Sequence, residues 1–253
     1  MMRGVDISHY RTGLTIRQIR DAGNDFAIIK VTEGNFLIDS AAFGFYHEAF
    51  GLGFPVGCFC YSHAATEDQA RREAAFLLET INGFPMPCGV FLDVEAPEML
   101  VLPDTLLEAV INAFCGAVRD AGYTPGVYGS EYNLWRKIDA NALREDVVVW
   151  VAHYGKEPDM PCDLWQSSDT GRIEGYSGNV DADEVRSKRF EDMVRKGFFQ
   201  EPDKPPGDVP DTDAGDIAPD LSGAFDVLAR YIQTKEFQNG FMAFWENAGK
   251  EQL

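Results

Sequence analysis

Phe91-Leu92-Asp93-Val94-Glu95 sets two carboxylates one residue apart at the end of an apolar run. A strand places both on the same face at one end. The flanking segments decide what kind of strand this is. Upstream, Thr66 to Ile81 reads as a helix, with Thr66 as N-cap and Gln69 as its capping-box partner. Ala70, Ala74, Leu77, Leu78 and Ile81 form its buried stripe. Downstream, Asp104 to Ala121 repeats the pattern, with Leu106, Leu107, Val110, Ile111, Phe114 and Val118 facing inward and Gly122 at the stop. A strand held between two amphipathic helices is the unit of an α/β fold.

The same alternation extends in both directions. Strand-like runs occur at Arg3 to Ile7, Phe26 to Val31, Val56 to Tyr61, Gly89 to Val94, Gly126 to Tyr128, Val147 to Ala152 and Asp163 to Gln166, with a last one near Val180. Eight strands predict a closed TIM-like barrel. After Asp146 the runs follow one another through Gly, Pro, Ser and Asp turns, so the last third is expected to be irregular and helix-poor, with antiparallel hairpins. The catalytic barrel is assigned to residues 1–200. A Pro- and Asp-rich linker follows at 201–220, extended and solvated by its composition. Residues 221–253 carry helical spacing in Phe225, Leu228 and Ile232 and in Phe237, Phe241, Phe244 and Trp245. This helical tail is too short to bury its own aromatic residues. Packing on the barrel, self-association and wall or partner binding are the roles open to it.

The formal charge of −19 argues against nucleic acid and against an anionic membrane surface. No apolar run is long enough to span a bilayer, and Met1-Met2-Arg3 leads into the first strand without a signal-peptide core. Export by another route and release by host lysis are both compatible with that start. Cys58, Cys60, Cys88, Cys115 and Cys162 form no CxxC pair and read as buried thiols. The linker acids lack the order of a calcium loop, and neither metal nor cofactor is expected.

In β/α barrels the active site lies where the C-terminal ends of the strands meet. Four acids are expected there: Asp6, Asp93, Glu95 and Asp181, the last of them on the final strand, which closure would bring beside Asp6. Converging carboxylates raise one another's pKa and supply a proton donor near neutral pH. That combination suits acid-assisted glycoside cleavage. Tyr61, Tyr128, Tyr154 and Trp165 near strand ends offer faces for sugar rings, with core packing as the competing explanation. Trp150 alternates within its run and serves either core or cleft. Lys30 and Glu33 either pair with each other or bind substrate hydroxyls.

Seven segments, taken in order, carry a resemblance. They are Gly4-Val5-Asp6-Ile7-Ser8, Lys30-Val31-Thr32-Glu33-Gly34, Leu92-Asp93-Val94-Glu95, Pro125-Gly126-Val127-Tyr128, Trp150-Val151-Ala152-His153-Tyr154, Leu164-Trp165-Gln166 and Gly178-Asn179-Val180-Asp181. Together they resemble glycoside hydrolase family 25, the Chalaropsis-type lysozymes, over about residues 3–196. The resemblance implies a flattened β/α barrel that cleaves the β-1,4 bond between N-acetylmuramic acid and N-acetylglucosamine in bacterial peptidoglycan, as in phage-type endolysins. It implies Glu95 as general acid and Asp93 as the residue orienting the substrate's acetamido group, giving retention. Asp6 and Asp181 are implied as supporting acids, Tyr61 as a sugar contact, and Gln166 joins the substrate-binding set. An inverting route stays open at this level, as do chitin as the polymer and a glycan-binding or assembly role without turnover. Cys60 stands where the family often has an aromatic residue, which puts the local sugar contacts in question. The negative charge predicts activity that improves as salt screens repulsion from an anionic wall.

Overall fold

The computed structural model describes residues 2–198, and the linker 201–220 and tail 221–253 lie outside the described residues. Eight strands close into a barrel: β1 (Arg3–Ile7), β2 (Phe26–Glu33), β4 (Val56–Tyr61), β5 (Val90–Asp93), β6 (Pro125–Ser130), β7 (Val148–Ala152), β8 (Leu164–Gly171) and β9 (Val180–Val185). The two-residue β3 (Leu37–Ile38) folds back on the end of β2 as a short antiparallel edge. Closure is made by β1, which pairs parallel with β2 and antiparallel with β9. Strands β2 and β4 are buried along almost their whole length. Such burial, which in β2 extends to Lys30 and Thr32, is that of parallel strands covered on both faces.

Six of the eight barrel pairings are parallel, and β9 alone runs against its neighbours. The connection explains the reversal. Residues 172–179 between β8 and β9 are too few for the crossover that a parallel strand needs, so the chain turns back as a hairpin. Asp181 therefore stands at the start of its strand, not at a C-terminal end. Reversal carries it to the same barrel face, opposite Asp6 in register.

The outer helices are α1 (Ile16–Asp21), α2 (Ala42–Leu52), α3 (Glu67–Ile81), α4 (Pro97–Leu100), α5 (Asp104–Asp120) and α6 (Lys188–Lys196). None of them is long and apolar enough to cross a membrane. The Thr66 side chain caps α3 by accepting from the Gln69 amide at 3.3 Å. The expected box closes one residue further out, because Gln69 Oε1 accepts from Ala65 N at 2.8 Å. A reciprocal box does form at α1, between Thr15 and Gln18. In α3 the buried stripe includes Glu73, while Leu78 is half-buried. Glu73 is admitted because it accepts from the Ser62 hydroxyl at 2.5 Å and from the His63 amide at 3.1 Å. In α5, Cys115 is buried and Leu106 lies at the exposed edge. Four thiols are buried as expected, and Cys162 is half-buried.

The barrel interior is filled by Phe26, Phe59, Phe91, Tyr128, Trp150 and Leu164. Trp150 meets Tyr128 and Phe91 edge-on at 4.5 and 5.3 Å between ring centroids. Phe91 also presses on Gly126 so closely that an added Cβ would stand 2.2 Å from its ring. Only glycine leaves room there.

Candidate active site

One lateral row of the barrel builds the floor of a cleft. Strand register places Glu33 beside Tyr61, Tyr61 beside Asp93, Asp93 beside Tyr128, and Tyr128 beside Trp150. Asp6 and Asp181 face each other at the seam. Glu95, two residues past the end of β5, completes the set. These groups line a cleft of about 490 Å³, together with Arg11, His63, Tyr154 and Gln166. Among the described residues no cluster of His, Cys, Asp or Glu is arranged to hold a metal.

The electrostatics follow from putting acids where water is scarce. Asp6 and Asp93 are buried, and their pKa values are pushed well above the ordinary carboxylate range. Burial is the main cause for both, followed by the charge of Asp181 for Asp6 and of Glu95 for Asp93. Asp93 Oδ1 is buried and has no hydrogen-bond partner among the described residues. Glu95 opens to solvent on the cleft side, while protein atoms crowd its other sides. That partial desolvation raises its pKa, against a hydrogen bond from Tyr128. Burial raises Asp181 too, with Arg11 opposing it through a guanidinium bond of 2.5 Å.

The remaining candidates separate into contacts, supports and one misplacement. Lys30 and Glu33 bind each other at 2.7 Å, and the Lys30 ammonium lies 5.1 Å from the Tyr61 ring centroid. That bond holds Glu33 below the usual carboxylate range. His63 extends the chain of charges, reaching Glu33 at 3.3 Å and Glu98 at 2.6 Å. Burial opposes its protonation, but the two carboxylates outweigh burial and raise its pKa. Gln166 bridges Tyr128, Tyr154 and Asp6. Trp150 is interior, directly beneath the cleft, and its Nε1 donates to Asp183 at 2.9 Å.

Trp165 does not belong to the cleft. It lies between the inward-facing Leu164 and Gln166, so the period-2 alternation of β8 turns it to the barrel exterior. There its Nε1 donates to the His153 carbonyl at 2.7 Å, and the Arg186 guanidinium lies 5.2 Å from its ring centroid. Cys60 is likewise absent from the lining, whereas Phe59 and Tyr61 on either side of it are present. Its replacement of an aromatic residue leaves the cleft wall intact.

Three groups in or under the site were not anticipated. Arg11 pairs with Asp181, and His63 caps the rim. Asp183 lies buried behind Asp6, with the proton-favouring shift of a desolvated acid. The spacing Asp181-Ala182-Asp183 repeats the pattern of Asp93 and Glu95, and that was the available signal.

Comparison with known proteins gives a consistent result. A sequence model described as Glycosyl hydrolases family 25 matches residues 5–176. The autolytic lysozyme of Clostridium acetobutylicum is 28% identical over 188 residues, covering 72% of this chain and 55% of that protein. Lysozyme M1 of Streptomyces globisporus is 26% identical over 197 residues, covering 71% of this chain and 66% of that one. The chain thus spans between about half and two thirds of the length of these relatives. Among solved structures, the bacterial lysozyme of Streptomyces coelicolor superposes with a TM-score of 0.67 at 23% identity, covering 78% of this chain and 96% of that one. The autolysin LytC of Streptococcus pneumoniae, solved with a synthetic peptidoglycan ligand, gives 0.63 at 21% identity over 72% of this chain and 46% of its own.

Proposed function

The chain belongs to glycosyl hydrolases family 25, and from that we propose that it is a muramidase cleaving the β-1,4 bond between N-acetylmuramic acid and N-acetylglucosamine in bacterial peptidoglycan. The observation that carries this reading is the set of acids in one cleft, with Asp93 at the end of β5 and Glu95 just after it meeting Asp6 and Asp181 at the seam. The lysozymes among its relatives support the polymer assigned.

Glu95 is the proton donor. It is the acid open to the cleft, and its raised pKa favours a proton held for delivery to the glycosidic oxygen. Asp93 is buried beside it, and its unpartnered Oδ1 is an acceptor suited to the N–H of the substrate's acetamido group. Oriented in this way, the acetamido oxygen attacks the anomeric carbon as Glu95 protonates the leaving group. Water then opens the cyclic intermediate with retention. Asp6 and Asp181 support the positive charge that develops at the sugar, with Arg11 steadying Asp181. Tyr61 and Tyr154 flank the floor as ring contacts. The place of action is the cell wall, reached by export or by host lysis, and residues 221–253 serve self-association or wall binding.

Mass spectrometry of fragments released from purified peptidoglycan tests the assignment, with chitin oligomers digested in parallel. Wild-type protein should release muropeptides with a reducing N-acetylmuramic acid end, and Glu95→Gln should release none. Products from chitin alone, or turnover retained by Glu95→Gln, would overturn it. Proton NMR of the first-formed anomer decides retention.

A further inference from the structure

Gln166 is buried at 3% exposure, yet its side chain makes three polar contacts. Its Oε1 accepts from the Tyr128 and Tyr154 hydroxyls, each at 2.8 Å. Its Nε2 donates to Asp6 Oδ2 at 2.7 Å. An amide oxygen has two acceptor sites, and both are engaged. The amide is therefore locked with its nitrogen toward Asp6. The three partners come from three different parts of the barrel: β6, the residue pair following β7, and β1.

A phenol carries a single proton, and the Tyr128 and Tyr154 hydroxyls each commit theirs to Gln166. The links from these two hydroxyls through Gln166 to Asp6 thus run across the cleft floor.

We propose that Gln166 is a positioning residue of the reaction, orienting the Asp6 carboxyl through an amide that the Tyr128 and Tyr154 hydroxyls hold in place. The part of Asp6 in the reaction rests on the muramidase reading. The orientation of Asp6 rests on the hydrogen bonds alone. Several charged groups face Asp6 besides the amide. Asp181 and Asp183 approach from β9, Asp93 from β5, Glu95 from the segment after β5, and Arg11 from the loop after β1. Tyr154 lies beyond Gln166, with Asp6 among the charges that raise its pKa. Burial and Asp181 favour a proton on Asp6, and the Gln166 amide opposes them.

The test is carbon-13 NMR titration of the Asp6 carboxyl, run on the full chain as wild type, Gln166→Leu and Gln166→Glu. The acidic limb of kcat on solubilised peptidoglycan is measured alongside. Loss of the donated N–H should move the Asp6 titration and the acidic limb upward together by about one pH unit, a tenfold change in proton affinity, with KM within about twofold. Tyr154→Phe, which leaves the amide in place but loosens its lock, should give a smaller shift in the same direction; it carries the measurement should the Gln166 variants fail to fold. An unmoved Asp6 titration, or a change confined to KM, would overturn the proposal. A shifted Asp6 in a chain whose wild type is inert on every wall would support the positioning of Asp6 and refute the muramidase reading instead.

Discussion

Replacing Asp183 by asparagine removes a buried acid while preserving its shape. The side chain is 1% exposed, Oδ1 accepts from Trp150 Nε1 at 2.9 Å, and Oδ2 has no partner among the described residues. Burial first, and the neighbouring Asp6 second, push its pKa well above the ordinary carboxylate range. The folded protein therefore keeps a proton that the unfolded chain has lost, and stability falls as pH rises from the unfolded value toward the folded one. Each pH unit in that window costs about 1.4 kcal/mol. From about pH 4 to pH 7 the limit is about 4 kcal/mol. Asparagine has no such proton, and its amide oxygen can still accept from Trp150. Asp183→Asn should match wild type in urea unfolding near pH 4, then gain on it steadily, becoming the more stable protein at pH 7. A variant less stable at pH 7, or one offset by the same amount at every pH, would show that Asp183 is ionised in the fold and refute the argument.

Two further outcomes can be checked directly. Wall hydrolysis should rise as salt increases from about 10 mM to about 150 mM, because the Debye length falls from about 30 to about 8 Å and the net charge of −19 repels an anionic wall; turbidity clearance that is fastest at the lowest salt would contradict this. Trp165→Phe should leave kcat/KM within about twofold in the same assay, since the indole stacks under Arg186 on the barrel exterior. A loss of about tenfold or more would return Trp165 to the cleft.

What could be read from sequence was whatever depends on alternation and order. Asp6, Asp93 and Glu95 were legible because a parallel strand delivers its last residues to one face, and Asp181 because closure brings the last strand to the first. Trp165 and Gln166 show where that rule was available and went unapplied, since adjacent strand residues point to opposite faces and only one of them can line the cleft. Helix α2 is illegible in the sequence because Phe43, Phe45, Tyr46, Ala49, Phe50 and Leu52 make it apolar on most sides, with no single stripe. At six residues, α1 is too short for any period to emerge, although its capping box was written at Thr15 and Gln18. The links among Gln166, Tyr128 and Asp6 join residues up to 160 positions apart, and only the closed barrel brings them together.

The reversed β9 also fixes on which side of the barrel the described chain begins and ends. An eighth parallel strand would have finished on the side of the acids, and the chain would have needed a further crossover to return to the other side. Running the other way, β9 ends level with the start of β1, where Val185 N bonds to the Met2 carbonyl. Phe198 is likewise found beside Pro85-Met86-Pro87 and Tyr123-Thr124, which lead into β5 and β6 from below. Both ends of the described chain thus emerge behind the working face. A spectroscopic label attached at Met2 or Phe198 would therefore stand on the far side of the barrel from the acids and report on the fold without crowding the cleft.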